Sequence, residues 1–540
     1  MKLRPKGSRF ATSALAALFF FVILSGSPRA EECTTAVVSG SATADGRPLL
    51  WKNRDTDDIQ NKLAFLSEGP LAAVAMVTHG ITASVWMGVN ESGFAIENSN
   101  STDLEGASNA ENGSFMKRAL LNCATVAEFE ALLVETNSSG RLTQANYGVI
   151  DATGAAAIFE VGNHTFRKYD AADPSDAPNG FIVRTNFAFT GDGSGHGQVR
   201  YDRAVELLTG AALAGTLAHD FLLRRAARDL KNDVIDPYPL PYEGSQDSLP
   251  PGYIKTVNSI SRSTTRSSAV FRGILAGEEP RLTTMWAILG EPVCAVALPV
   301  WPLAGSVPAE LGGQATAPLC NAALARKAAC YPLAASPGYI NTFALDDGQG
   351  GGVFSYTEPI EDWTLARAEA LLAGWRASGP TPPAVAAAQN EIARQAYWCF
   401  LASSAPNDAL SAPRYLTCRT LENRSLLLRE YVHRLTWQAP ATGTAAAYRV
   451  YDVSAGNRIL LAEVPAGTLS YLRRRAGRTG DYIYAILAVD GAWAEGSPAC
   501  TEPGAAAGDL DKISERSARM LKIGSEVAGA LRRSVLFGRF

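Results

Sequence analysis

Residues 31–57 read EECTTAVVSGSATADGRPLLWKNRDTD and divide into two extended runs around a turn. TTAVVSG and RPLLWKNRD are rich in β-branched and apolar residues, as strands are. Asp45-Gly46 between them is a pair that favours a tight reversal. An antiparallel hairpin here returns Asp55 to the neighbourhood of Cys33. By the two-residue period of a strand, Lys52 and Arg54 share one face and Asn53 and Asp55 the other. Spacing alone leaves open which face looks into a pocket.

Upstream of the hairpin, MKLRPKGSRFATSALAALFFFVILSGSPRA has a basic start (Lys2, Arg4, Lys6, Arg9), an apolar run from Ala11 to Leu24, then small residues. This is the pattern of a signal peptide over 1–30, with a short remnant to 32 as a variant of the cut. The apolar run is short for a bilayer span. The expectation is an exported protein, periplasmic or extracellular, in which Cys33 lies almost at the mature N-terminus. Cleavage after Ser27 and after Ala30 are both open, and neither exposes Cys33 directly.

Downstream, strands are expected at LAAVAMV, TASVWMGV and GFAIENS, then one helix from Ser114 to Thr136. NYGVIDATGAAAIFEVG (146–162) reads as a hairpin turning at DATG, and GFIVRTNFA as a further strand. Helical patterns resume over DRAVELLTG and LAHDFLLRRAARD. RLTTMWAILGEPVCAVALPVWPL reads as two strands linked at Glu291-Pro292, and 361–402 as helical with a break at GPTPP. Strands and helices in this order bury their apolar faces as stacked sheets flanked by helices. From about 430 the texture changes to short alternating strands such as YRVYDV and YIYAILAV. The final stretch, 504–540, has apolar residues at near-helical spacing with basic residues between; it docks on the body or contacts a membrane surface.

The chain has 540 residues and a formal net charge of −4. It is too long for one ordinary core and calls for a large domain plus a smaller one. Neither the overall charge nor any basic, aromatic-laced patch argues for nucleic acid. Eight cysteines and five histidines are scattered without metal-ligand spacing, so no metal or organic cofactor is expected. Export permits disulfides, and the sequence-local pairings are Cys320 with Cys330 and Cys399 with Cys418.

If the residues before Cys33 are removed, Cys33 carries a nucleophile and its own base. A free α-amine has a reference pKa of about 8, suited to taking the thiol proton and returning it to a leaving amine. No histidine is needed, and Asp55 can hold the amine in register.

CTTAVVSGSATADGRPLLWKNRDTD resembles the mature N-terminus of the cysteine N-terminal-nucleophile (Ntn) hydrolases, the group holding choloylglycine hydrolases, penicillin V acylases, acyltransferase-like enzymes and secreted dipeptidases. WMGVNESGFAIEN, NYGVIDATGAAAIFEVG and FIVRTNFAF match in the same order, so the resemblance spans roughly 33–400. It implies an α+β fold, a four-layer αββα sandwich over 33–402. It implies Cys33 as nucleophile, Asp55 orienting its amine, and Asn90 and Asn186 as oxyanion amides. Arg262, preferred over Arg266 in SISRSTTRSS, supports the nucleophile. Lys52 stands where choloylglycine hydrolases usually have arginine. Residues 430–503 resemble a fibronectin type III module.

The implied activity is hydrolysis of a linear amide, of an N-acyl amide or acylated amino acid, with a dipeptidase as the alternative. The implied partners are a small amide or short peptide, and relatives often form dimers or tetramers. A non-catalytic binding protein acting through its fibronectin-like module is the alternative from a different class. Removal of the residues before Cys33 is either autocatalytic or the work of a host peptidase.

Overall fold

The structure, a computed structural model, describes residues 32–349, 351–402, 413–424, 429–440, 443–454, 459–476, 482–489 and 495–501. The expected signal segment and the 504–540 tail lie outside them. Strands β1 (Glu32–Val38) and β2 (Leu49–Asp55) form the expected antiparallel hairpin. Gly46 turns it at φ 77°, a backbone conformation that favours glycine. β3 (Asn61–Leu66), β4 (Ala73–Thr78), β5 (Met87–Asn90) and β6 (Ala95–Asn100) follow as a meander.

The single helix expected from Ser114 to Thr136 is two: α1 (Asn112–Asn122) and α2 (Val126–Ser139). Thr125 is the reason for the break. Its side chain accepts from the Glu128 backbone N–H, while the Glu128 carboxylate accepts from Ala124 N–H, so a new helix start interrupts a continuous apolar pattern. β7 (Ala145–Ile150) and β8 (Ala156–Val161) form the expected second hairpin. β9 (Phe166–Asp170) was not anticipated; β10 (Phe181–Arg184) was. Helix α3 (Gln198–Leu213), the short β11 (Tyr253–Lys255), β12 (Thr265–Arg272), β13 (Thr284–Leu289) and β14 (Ala297–Val300) come next. Helices span Pro318–Cys330, Phe354–Ser378 and Pro382–Ala402.

The strands form a six-stranded antiparallel sheet, β10-β1-β2-β12-β13-β14, and a seven-stranded one, β3-β4-β5-β6-β7-β8-β9. β12 fills the centre of the first sheet, between β2 and β13, although its sequence, TRSSAVFR, begins with too many polar residues to read as a core strand. The sheets pack face to face. Alternation decides which residues enter which layer. Val74, Met76, Val89 and Ile158 join the core between the sheets with Val37 and Leu50. Ala75, Val77, Ile96, Val149 and Phe159 point the other way, onto Phe115, Leu120 and Phe129 of α1 and α2. The outer side of the first sheet is covered by α3 and the helices at Phe354–Ser378 and Pro382–Ala402, through Ala204, Leu208, Ala368, Leu372 and Ile392. The body is therefore two large antiparallel sheets flanked by helices.

An all-β region follows and begins at Arg414, earlier than the change of texture near 430 suggests. It has a three-stranded and a four-stranded sheet, with its own cluster around Trp437, Tyr448, Val450, Tyr484 and Ile486. Trp398 of the body packs against Tyr451, Ile483 and Leu487 of this region.

Neither local disulfide is formed. Cys320, Cys330 and Cys418 are free thiols, so neither Cys320–Cys330 nor Cys399–Cys418 is paired. Cys320 and Cys330 sit on one helix, and ten residues of helical rise separate them by about 15 Å, beyond the reach of a disulfide. Among the described residues no group of three or more His, Cys, Asp or Glu is placed to hold a metal. No helix among them is long and apolar enough to cross a membrane.

Candidate active site

The register of β1 on β2 fixes the site. Glu32 lies opposite Asp55, Cys33 opposite Arg54, and Thr35 opposite Lys52. Asp55 and Asn53 thus share a face with Glu32 and Thr34, while Cys33, Lys52 and Arg54 take the other. Cys33 is buried, 1% exposed.

β12 lies along the other edge of β2 and places Thr265 opposite Asp55. Thr265 Oγ1 donates to Asp55 Oδ1 at 2.6 Å, and Arg262 Nε donates to Asp55 Oδ2 at 2.8 Å. Both carboxylate oxygens are therefore engaged. The turn entering β12 aims the arginine: Thr265 N–H donates to Arg262 O, and Arg262 N–H to Thr265 Oγ1. Arg262 Nη1 donates to Val257 O at 2.7 Å, and Nη2 to the Glu32 carboxylate. Arg266 instead donates to Thr56 O, so it is Arg262 that the fold brings to Asp55.

A second arginine, Arg200 of α3, completes the cluster, and sequence reasoning missed it. It is almost wholly buried. Nη1 donates to Cys33 O at 2.5 Å and Thr34 Oγ1 at 3.1 Å. Nη2 donates to Asn186 Oδ1 at 2.9 Å and Glu32 Oε2 at 3.3 Å. Burial, and then the neighbouring Arg262 charge, pull its pKa down to about 10. It remains a cation at neutral pH. The one signal in the sequence is periodic: Arg200 lines up with Ala204, Leu208 and Ala211 on the buried face of α3, whereas Arg203 does not.

Asn186, just beyond β10, accepts the Cys33 N–H on Oδ1 at 2.9 Å and donates from Nδ2 to Asn100 O at 2.9 Å. It holds the Cys33 backbone nitrogen. His196 Nε2 stands 3.9 Å from Glu32 Oε1, at the rim of the cluster.

The expected place of Asn90 in the site needs correction. Its Nδ2 donates to Leu120 O at 2.8 Å and Cys123 O at 2.7 Å, which uses both amide hydrogens. Its Oδ1 accepts from Ser92 and Phe94 N–H. Asn90 closes the β5–β6 turn and ties it to the end of α1, with no hydrogen left for an oxyanion. Asn100, at the end of β6 and linked to Asn186, is the better-placed amide. Its Oδ1 accepts from Asn109 Nδ2 at 2.8 Å and Asn112 Nδ2 at 3.1 Å, which orients the group and leaves Nδ2 without an acceptor among the described residues. The signal was in the sequence, since ENSN follows VNESGFAI, but spacing could not say which asparagine was committed to structure.

Lys52 goes to the space between the sheets. Its Nζ donates to Trp86 O at 2.9 Å and Asn98 Oδ1 at 2.8 Å, where the β5–β6 ladder ends at Met87 opposite Glu97. Glu97 is fully buried nearby. Burial pushes its carboxyl well above the usual range, against the pull of Lys52. Gly148 across the ladder makes room for it: a Cβ there would lie 2.1 Å from Glu97 Oε1.

No protein-family model matches the chain, and no curated protein matches it. Solved structures similar to parts of it include a mutant of conjugated bile acid hydrolase from Clostridium perfringens, 13% identical with a TM-score of 0.30, covering 50% of this chain and 92% of the other. A penicillin V acylase from Agrobacterium tumefaciens is 15% identical with a TM-score of 0.29, over 50% of this chain and 86% of its own. A mutant FN3 structure is 18% identical with a TM-score of 0.14, over 17% of this chain and 89% of its own.

Proposed function

We propose that the protein is an exported hydrolase of linear amide C–N bonds, acting on an N-acyl amide or acylated amino acid, with Cys33 as an N-terminal nucleophile. In this reading the body is an αββα Ntn-hydrolase sandwich and the C-terminal region a fibronectin type III-like module. The observation that carries it is the convergence of buried polar groups on the backbone around Cys33. Asn186 holds its N–H, Arg200 its carbonyl oxygen, and Asp55, pinned by Arg262 and Thr265, lies across the ladder from Glu32. A structural cysteine has no use for such an array, whereas an α-amine that must act as a base does.

Once Glu32 is removed, the Cys33 amine takes the thiol proton and Sγ adds to the substrate carbonyl. Asp55 and Asn186 fix the amine, and Asn100 Nδ2 donates to the developing oxyanion, an interaction on the order of 3–4 kcal/mol in a site closed to water. The protonated amine then gives its proton to the leaving nitrogen, and water resolves the thioester.

Intact mass and N-terminal mapping of the exported protein test this beside Cys33→Ala. A wild type that begins at Cys33, with a variant that retains Glu32, is the expected result and identifies self-processing. If both begin at Cys33, a host peptidase does the trimming and the chemistry stands. A wild type that keeps Glu32 has no free amine, and the reading falls in favour of a binding protein.

A further inference from the structure

Glu32 belongs to the segment that must leave, yet it is held as firmly as any residue in the site. Its carboxylate lies between the guanidinium groups of Arg262 and Arg200, with His196 at 3.9 Å. Both arginines have side chains less than 10% exposed. Burial works to raise the Glu32 carboxyl, and Arg262, then Arg200 and His196, overcome it and hold its pKa below the ordinary value.

Two cations face two anions while Glu32 is present: Arg200 and Arg262 against Glu32 and Asp55. Removal of Glu32 leaves Asp55 alone against both guanidiniums and adds the new α-amine. A buried excess of positive charge with unmet N–H donors is unfavourable and calls for an anion. The vacated place is also the acyl place. In self-processing Sγ adds to the Glu32 carbonyl, the C–N bond breaks, and the thiol proton ends on the Cys33 amine. Water then releases the Glu32 acid and restores the thiol. The thioester in that sequence is of the same kind as the acyl-enzyme of the external reaction, so the two acyl groups share a seat.

Resting on the reading that Cys33 becomes N-terminal, we infer that Arg200 and Arg262 form a carboxylate-binding subsite for the acyl half of the substrate. The Glu32 side chain measures its reach: the carboxylate is three carbons from the scissile carbonyl, the spacing of a glutaryl or α-glutamyl group. The substrate class is an amide of a short dicarboxylic acyl group, bound by charge-assisted hydrogen bonds to the two guanidiniums.

The test uses the exported protein after its N-terminus has been read by mass. Hydrolysis of glutaryl-p-nitroanilide is compared with that of pentanoyl-p-nitroanilide, which replaces the carboxylate by a methyl group. A kcat/KM ratio of about 100 in favour of the glutaryl compound is expected, falling at least tenfold in Arg200→Gln even though that change slows both reactions. A protein that begins at Cys33 and cleaves the two alike, prefers the pentanoyl compound or cleaves neither overturns the subsite and leaves the amidase reading standing. A protein that keeps Glu32 overturns both.

Discussion

Asn90 and Asn100 carry the same side chain ten positions apart, and their surroundings separate them. Asn90→Ala strands two buried helix-end carbonyls and two N–H groups, a cost of roughly 2 kcal/mol. The expected outcome in thermal unfolding is a lower Tm, with self-processing at Cys33 intact. Asn100→Ala removes a donor that the fold leaves uncommitted, together with the acceptor of Asn109 and Asn112; it lowers the rate of processing about 100-fold by intact mass, beyond what its own lowering of Tm accounts for. Asp55→Asn keeps the shape but removes the charge that Arg262 and Thr265 hold in place. The amine then loses its anchor, and processing and amide cleavage fall by two to four orders of magnitude, on the order of what acid–base groups contribute.

The turn that aims Arg262 is braced by a separate element. Lys327, on the helix Pro318–Cys330, donates to Ser263 O at 2.6 Å and Thr265 O at 3.3 Å, and pairs with Glu291 Oε2 at 2.6 Å. Tyr331, near the same helix end, donates to Glu291 Oε1 at 2.6 Å. Burial raises the Glu291 carboxyl and lowers the Lys327 ammonium, each opposed by the other's charge. Lys327→Met leaves a buried carboxylate unpaired and is expected to cost about 3–5 kcal/mol in urea unfolding. Glu291→Gln combined with Lys327→Met recovers part of that loss. The same comparison reads the site: the double variant regains stability but still processes slowly, because the Ser263–Thr265 turn has lost its brace.

For the whole molecule, one buried histidine sets a window of pH-dependent stability. His219 stacks on Trp286 at 5.6 Å between ring centroids. Burial, then Arg272, lowers its pKa to about 4, against the opposing pull of Glu369, Asp220 and Asp45. The unfolded chain binds the proton near pH 6.5 and the folded chain only near 4, so stability rises with pH across that window. The loss between pH 6.5 and 4 is up to roughly 3 kcal/mol from this residue, and His219→Gln flattens it in a pH series of denaturation midpoints. At the same scale, every group around Cys33 lies between residues 32 and 265 and rests on the core of the body, while the C-terminal region has its own cluster. A chain ended after residue 402 is expected to process normally by intact mass and to be less soluble, because Trp398 loses its cover.

Some of this was local and therefore legible. Hairpins declare themselves through alternation and turn residues, so β1–β2 and β7–β8, and with them Cys33 beside the strand end that carries Asp55, followed from spacing alone. Other features were hidden because they depend on partners far away in the chain. β12 reads as a polar segment until β2 and β13 flank it. Arg200 is one of two arginines on α3, and its partners appear only when the helix lies against Cys33, 167 residues back in the chain. Asn90 and Asn186 are alike as letters, and only the tertiary hydrogen bonds spend one on a helix end and the other on the Cys33 backbone nitrogen. Sequence periodicity determines which face a residue joins; which groups meet across that face is decided by packing, because hydrogen bonds and charge pairs act over a few ångströms of space and not along the chain.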